Sequence, residues 1–162
     1  MRTDRAPGPT QNLPGPQRPR RPAGGGPLED RIKGILRTTE GVAYVSAANP
    51  GPDFLDRDAR QQAEDFHDLH TSQLRRFYGM ATTFRRRIEI DDTLGDDDVQ
   101  AQMAYLKAAA AYAAMRRQPE ELVSFFSKHA NSVKTRAQFE RFCRHFEAVV
   151  AYHKVFSSER GG

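Results

Sequence analysis

The sequence predicts an all-α protein: a five-helix bundle, preceded by a disordered N-terminal tail and a short β-hairpin. Three observations indicate this organisation. Residues 1–27 are rich in Pro, Gly and Arg, residues 28–52 contain two β-favouring runs, and from Asp53 onward apolar residues recur at intervals of three and four. We therefore divide the chain into a tail (1–27), a linker with the hairpin (28–52) and a helical bundle domain (53–162), a size typical of one domain.

The tail carries the excess positive charge. Residues 1–27 hold five Arg and seven Pro but one acidic residue, Asp4, and the remaining 20 basic and 20 acidic residues of the chain cancel. A segment of this composition buries too little apolar surface to order its backbone, so we expect it to be disordered. Its arginines fit either a loose contact with nucleic acid or a solvated leader.

The linker is predicted to contain a hairpin. Two β-favouring runs within residues 31–46 flank the turn-like sequence Thr38-Thr39-Glu40-Gly41. Because an isolated hairpin is marginally stable, we expect this one to be ordered only against a partner.

Five helices follow from the apolar spacing and from the residues at the helix ends. Asp96 to Asp98 suit the positive N-terminal end of the third helix, and Pro119 suits the start of the fourth. Short connections between such helices are typical of a bundle. The predicted helices span approximately 55–69, 71–90, 96–118, 120–129 and 135–156.

The fifth helix has two distinct sides. Its apolar arc predicts burial and consists of Phe139, Phe142, Cys143, Phe146, Val149, Val150 and His153. A second stripe mixes cations with an aromatic residue and contains Arg141, His145, Ala148 and Tyr152. Either this stripe contacts another protein, through Arg141, His145 and Tyr152, or the helix packs on both sides within the bundle.

The second helix has a cationic face. Arg75 and Arg86 lie opposite the apolar side, Arg76 and Arg87 flank it, and no Asp or Glu occurs between Thr71 and Arg87. A solvated helix usually mixes charge signs, and like charges on neighbouring turns are destabilising. The pattern therefore indicates an anionic partner.

Other basic residues admit two interpretations. Arg116 and Arg117 end the third helix, where cations also stabilise the negative end of the helix dipole. Arg144 and Lys154 lie off the apolar arc of the fifth helix, where they could be ordinary solubilising charges or RNA contacts.

Catalytic and metal-binding patterns are weak. His67 and His70 have no third ligand at a zinc-site spacing, and residues 91–98 lack the alternating ligands of a calcium loop. We expect no metal and no cofactor. Arg60 and His67 match the loose Arg-x(4 to 6)-His pattern of helical HEPN ribonucleases, so a nuclease stays as the alternative hypothesis.

The chain is expected to be cytoplasmic. No apolar run approaches the roughly 20 residues that span a bilayer, and the N-terminus has no apolar signal-peptide core. The single cysteine, Cys143, is expected to be a small core residue.

Three segments resemble the small subunit of type III-A CRISPR effector (Csm) complexes. The sequence Phe-Glu-Ala-Val-Val-Ala-Tyr-His-Lys at 146–154 is similar to the C-terminal signature of that family. Thr-Ser-Gln-Leu-Arg-Arg-Phe-Tyr at 71–78 and Tyr-Ala-Ala-Met-Arg at 112–116 are similar to two earlier elements, in the same order. The resemblance covers about residues 65–154.

This resemblance implies a non-catalytic subunit that stacks in several copies and contacts guide RNA and single-stranded target RNA beside other subunits of the complex. Backbone contacts of that kind would position RNA without reading its sequence. The residues expected to make them are Arg75, Arg76, Arg86, Arg116, Arg117, Arg144 and Lys154. A helical adaptor that contacts only proteins is a further alternative.

Overall fold

The computed structural model describes Gly8 and residues 26–160. Within that range the protein is helical and has no strand, which confirms the all-α class. The helices are α1 (Pro27–Leu36), α2 (Ala43–Ser46), α3 (Arg57–Asp65), α4 (Thr71–Ile90), α5 (Asp96–Met115), α6 (Glu120–Ser132) and α7 (Arg136–Arg160), with a 3-10 turn (Pro52–Leu55) before α3. The prediction of a disordered tail falls outside the described residues, except at Gly8 and at residues 26 and 27.

The predicted β-hairpin is wrong, because α1 and α2 occupy that segment. Pro27 lies in the first turn of α1, and Glu29 follows it, where a carboxylate favours the positive end of a helix. Ile32, Ile35 and Leu36 have the spacing of one helical face, and that face packs on α5 and α6. Burial of this face selects a helix, although isoleucine alone favours a strand.

The connection between α1 and α2 is fastened to α6. Asn131 donates from Nδ2 to the carbonyls of Thr38 and Glu40, both at 2.8 Å. The Val42 amide donates to Ser132 Oγ at 2.6 Å. A Cβ at position 41 would clash with that same hydroxyl, so the close approach requires Gly41.

Helix boundaries differ from the predictions in places. The first predicted helix (55–69) is a 3-10 turn followed by the shorter α3, and Phe66 and Leu69 are buried in the turn after it. α4 matches its prediction. α5 ends at Met115 rather than near residue 118, and Arg117 has a φ of 71°, which no α-helix accommodates.

α7 is the central element of the core. It packs against α3 on one side and α4 on the other, while α6 packs on α5. Six of the seven residues in its predicted apolar arc are buried, and Val150 is half-buried. The Phe146 ring lies 5.4 Å from the Phe125 ring and 5.7 Å from the Phe126 ring, so aromatic packing joins α7 to α6.

Cys143 lies within this core, as expected. Burial raises the pKa of its thiol to about 12, so the group is neutral and unreactive at physiological pH.

Candidate nucleic-acid interface

The arginines of α4 divide into two sets. Arg85 is half-buried and donates from Nε to Glu140 Oε2 of α7 at 2.6 Å, with a second contact from the same guanidinium to Oε1. This bidentate pair neutralises Arg85 and joins α4 to α7. The other four, Arg75, Arg76, Arg86 and Arg87, are exposed and have no carboxylate within ion-pair distance in the described part of the chain.

A groove runs between α4 and α5. The two helices are consecutive and antiparallel but share few contacts, so the space between them stays open. One part has a volume of about 570 Å3 and a continuation toward the end of α4 has about 430 Å3. Arg76, Met80 and Tyr105 line both parts. The remaining lining residues are Gln73, Phe77, Gly79, Thr83, Phe84, Arg87, Gln102, Ala109, Tyr112, Ala113, Arg116 and Gln118.

The groove is cationic along its whole length. Arg116 lies at one end, Arg76 in the middle and Arg87 at the other end, and none of the lining residues carries a carboxylate. The reason is visible in the sequence, since α4 has no acid before Glu89 and the chain has none between Asp98 and Glu120. Three positive charges along an open groove attract an anion. At the Arg87 end this attraction is reduced by Asp91, whose carboxylate interacts electrostatically with Arg87.

Two tyrosines of α5 project into the solvent beside these charges. Tyr105 is 60% exposed and Tyr112 is 66% exposed, unusual for aromatic side chains. The Arg116 guanidinium lies 5.7 Å from the Tyr112 ring centroid, within cation–π range, and its Nη1 is 3.5 Å from the hydroxyl. Sequence reasoning did not select Arg87, Tyr105 or Tyr112 as site residues. Their signal is the seven-residue tyrosine spacing within the part of α5 that has no acid after Asp98.

The other predicted RNA contacts lie outside the groove lining. Arg75 and Arg86 are exposed on the outer face of α4, and Arg117 is exposed just after α5. Arg144 and Lys154 are exposed on α7. The structure therefore brings Arg76 and Arg116 together in one groove, and the other five do not line it.

The second stripe of α7 is covered by the chain itself. Arg141 donates from Nη1 to the carbonyls of Tyr44, Val45 and Ala47 at 3.0, 3.0 and 2.7 Å. His145 is 3% exposed and sits against the same segment. These contacts match the interpretation in which α7 packs on both sides.

The third residue of that stripe also has an intramolecular partner. Tyr152 donates its hydroxyl proton to Asp56 Oδ1 at 2.8 Å. The hydrogen bond raises the pKa of the Tyr152 phenol. A role for Arg141, His145 and Tyr152 in contact with another protein stays a prediction.

Two buried histidines lie beneath α2. His129 Nδ1 donates to the Phe125 carbonyl at 2.7 Å, because a carbonyl can only accept, and Nε2 then accepts from the Tyr44 hydroxyl at 2.9 Å. His145 Nδ1 donates to the Phe54 carbonyl at 2.6 Å. Burial lowers the pKa of both rings, that of His129 to about 3, and so both are neutral at physiological pH.

The residues of the nuclease hypothesis have local partners. Arg60 pairs with Asp56 at 3.0 Å, one turn earlier. His67 Nδ1 lies 3.2 Å from the Glu64 carbonyl, and its Nε2 lies 3.1 Å from Asp68 Oδ2. Neither residue lines the groove between α4 and α5.

Residues 26–160 contain neither a metal-ligand cluster nor a membrane-spanning helix. No group of three or more His, Cys, Asp and Glu side chains there could hold a metal ion. None of the helices in that range has the length and apolar character needed to cross a bilayer.

Comparison with known proteins identifies the family. The family model described as Csm2 Type III-A matches residues 50–159, which is more than half of the chain. The CRISPR system Cms protein Csm2 of Enterococcus italicus is 30% identical over 108 residues, which cover 62% of this chain and 77% of that protein. No solved structure matches the chain. The family model's match includes α4, α5 and α7, the helices that carry the three resembling segments, and the chain belongs to the Csm2 family of type III-A CRISPR systems.

Proposed function

We propose that this protein is a non-catalytic small subunit of a type III-A effector complex that binds the guide and target RNA backbone in antiviral defence. Membership of the Csm2 family supports its place as a small subunit of such a complex. In this proposal several copies stack along the complex beside the other subunits. Each copy contributes cationic surface, and RNA cleavage is carried out elsewhere.

One observation carries the RNA-binding part of the proposal: the groove between α4 and α5 holds Arg76, Arg87 and Arg116 with no carboxylate in its lining. Placing these like charges along one groove costs stability through mutual repulsion. A phosphate backbone offsets that cost, and release of its counterions favours binding. Arginine contacts to phosphate orient a strand without reading its sequence.

The other predicted contacts extend the surface. Arg75 and Arg86 continue it over the outer face of α4, and Arg117 continues it past the end of α5. Arg144 and Lys154 add exposed charge on α7. In a stack of copies these residues would meet the stretches of guide or target RNA that the groove of one copy does not hold.

The direct test is an anisotropy titration of two unrelated single-stranded RNAs with the purified full-length protein. We expect similar affinities for both and a steep fall as salt rises, with a slope of about 0.7 per phosphate contact. No binding at low salt, or a strong preference for one sequence, would refute the proposal.

Charge reversal locates the contact. Arg76→Glu with Arg116→Glu should abolish most binding and reduce the salt slope by about 1.4, because two phosphate contacts are lost. The control reverses two exposed arginines that do not line the groove: Arg37, and Arg57, which pairs with Asp53 and Asp58. Equal losses in both double variants would mean that net charge, and not the groove, governs binding.

The nuclease alternative is tested on the same RNAs. We expect labelled RNA to stay intact with or without divalent metal ions. We also expect the His67→Ala substitution to leave RNA cleavage by the assembled complex unchanged. If the purified protein cleaves RNA and the His67→Ala variant does not, the protein is a ribonuclease and the scaffold proposal is wrong.

A further inference from the structure

The two exposed tyrosines of α5 differ from the other three tyrosines of the chain. Tyr44 is 8% exposed, Tyr78 packs edge-on against a core ring and Tyr152 donates to a carboxylate. Tyr105 and Tyr112 are more than half exposed, and both line the groove between α4 and α5. Core packing therefore does not account for these two rings, and the contact that Tyr112 makes within the chain is with Arg116, itself a groove residue.

Their surroundings combine an apolar floor with positive charge. Met80, Ala109 and Ala113 lie in the groove between the helices, and the small alanine side chains leave the space beside each tyrosine open. Arg76 lines the groove at both tyrosines, and the Arg116 guanidinium lies near the Tyr112 ring. A ligand that fits must offer flat apolar surfaces to the rings and negative charge to the guanidinium groups.

We propose that Tyr105 and Tyr112 stack on two bases of a single RNA strand whose phosphates contact Arg76, Arg87 and Arg116. This proposal rests on the RNA-binding function proposed above and adds a second mode of contact to it. Single-stranded RNA meets both requirements, since every base has a flat face and every nucleotide a phosphate. Stacking of this kind tolerates any sequence.

The helix geometry sets which bases are involved. Seven residues along an α-helix correspond to about 10.5 Å, whereas bases stacked in one strand are about 3.4 Å apart. Tyr105 and Tyr112 therefore engage bases that are not adjacent in a continuous stack. Each of the two bases must also leave the stack of its neighbours to present a face to a tyrosine ring, so the strand is unstacked at these two positions.

Paired substitutions separate stacking from the phosphate contacts. Tyr105→Leu and Tyr112→Leu remove the ring but keep apolar bulk, while Tyr105→Phe and Tyr112→Phe keep the ring and remove only the hydroxyl. We expect each Leu variant to bind RNA on the order of 10-fold more weakly, and each Phe variant to bind within about 2-fold of the original protein. The salt slope should not change in either, because no phosphate contact is lost.

Intrinsic fluorescence gives an independent readout. The chain has no Trp, so its emission comes from tyrosine, and Tyr105 and Tyr112 are the two tyrosines that are more than half exposed. Stacked bases should quench this emission, whereas an abasic ribose-phosphate strand of equal length should bind more weakly without quenching. The Leu double variant should lose the quenching and melt at the same temperature as the original protein.

The outcomes distinguish the two proposals. If the protein binds RNA and the Leu variants bind it as tightly as the Phe variants do, stacking is refuted and the backbone-binding function stands. If the protein binds no RNA, both fail. If the Leu variants bind RNA normally but no longer enter the effector complex, the groove is a docking site for a protein subunit and the stacking proposal is overturned.

Discussion

Acid should destabilise this protein through His129, whose ring is buried against Tyr44, Phe125 and His145. Burial, together with the neighbouring His145 and Lys128, lowers the pKa of His129 from 6.5 to about 3. Below pH 6.5 the unfolded chain therefore binds a proton at His129, whereas the folded chain binds it only when the pH falls to about 3. Stability is fully present above that pH and is lost as the pH falls from 6.5 toward 3.

The expected loss follows from the two pKa values. Each unit by which the pH lies below 6.5 costs about 1.4 kcal/mol until the folded ring also takes up a proton. At pH 5 the loss due to His129 is about 2 kcal/mol. The pKa of His145 is also lowered by burial, so this residue adds to the loss in the same direction. Protonating His129 at Nε2 would also require the Tyr44 hydroxyl to give up its donated hydrogen bond.

The assay is urea unfolding followed by circular dichroism at pH 7 and at pH 5, a range above the ordinary pKa of most carboxylates. His129→Gln should be less stable at pH 7 but should lose about 2 kcal/mol less on acidification. His67→Gln changes an exposed histidine and should behave like the original protein. A pH dependence that His129→Gln leaves unchanged would refute the argument, and so would a loss at pH 5 well below 2 kcal/mol.

Three further substitutions test the packing. Phe146→Ala should lower the unfolding free energy by about 3 to 5 kcal/mol in urea titrations, because the ring is fully buried; a loss below about 1 kcal/mol would contradict its place in the core. Gly79→Ala should raise the unfolding free energy by about 0.5 to 1 kcal/mol, since a Cβ at this helical position meets open space. A destabilised variant would mean that another group occupies the space beside Gly79. Arg141→Met should cost about 2 to 3 kcal/mol by removing donors from three carbonyls of α2 and its end. Faster amide exchange at residues 43–47 should accompany that loss, and unchanged exchange would argue against the anchoring role.

α1 and α2 illustrate the limit of local sequence reasoning. Ile32 and Val45 have a high intrinsic preference for strands, and each segment is too short for its helical spacing to outweigh that preference. For α1, what selects the helix is burial of Ile32 against Ala114 and Val123, which lie about 80 or more positions away in the sequence. For α2 it is packing on the equally distant α6 and α7. Contacts between residues so far apart in the sequence cannot be predicted from the spacing of apolar residues within either segment alone.

The candidate site was likewise predictable only in part, because some of its features depend on contacts between helices that are distant in the sequence. The absence of acids from α4 is a property of one helix, so the sequence indicated the cationic face. Arg85 looks like its neighbours in the sequence, and only the position of Glu140 on α7 withdraws it from that face. Likewise, Tyr105 and Tyr112 become site residues only because α5 lies beside α4 and leaves a groove.

The sequence by itself therefore determined the all-α class, the extent of α4, the buried arc of α7 and the family resemblance. These features depend on periodicity and composition within single helices, where side chains three or four positions apart share a face. Tertiary structure decided that residues 27–36 and 43–46 are helical. It also decided that residues 44–56 cover the second stripe of α7, and that arginines and tyrosines from two helices share one groove. Those outcomes depend on which surfaces exclude water from one another, and that is settled only when the distant parts of the chain pack together.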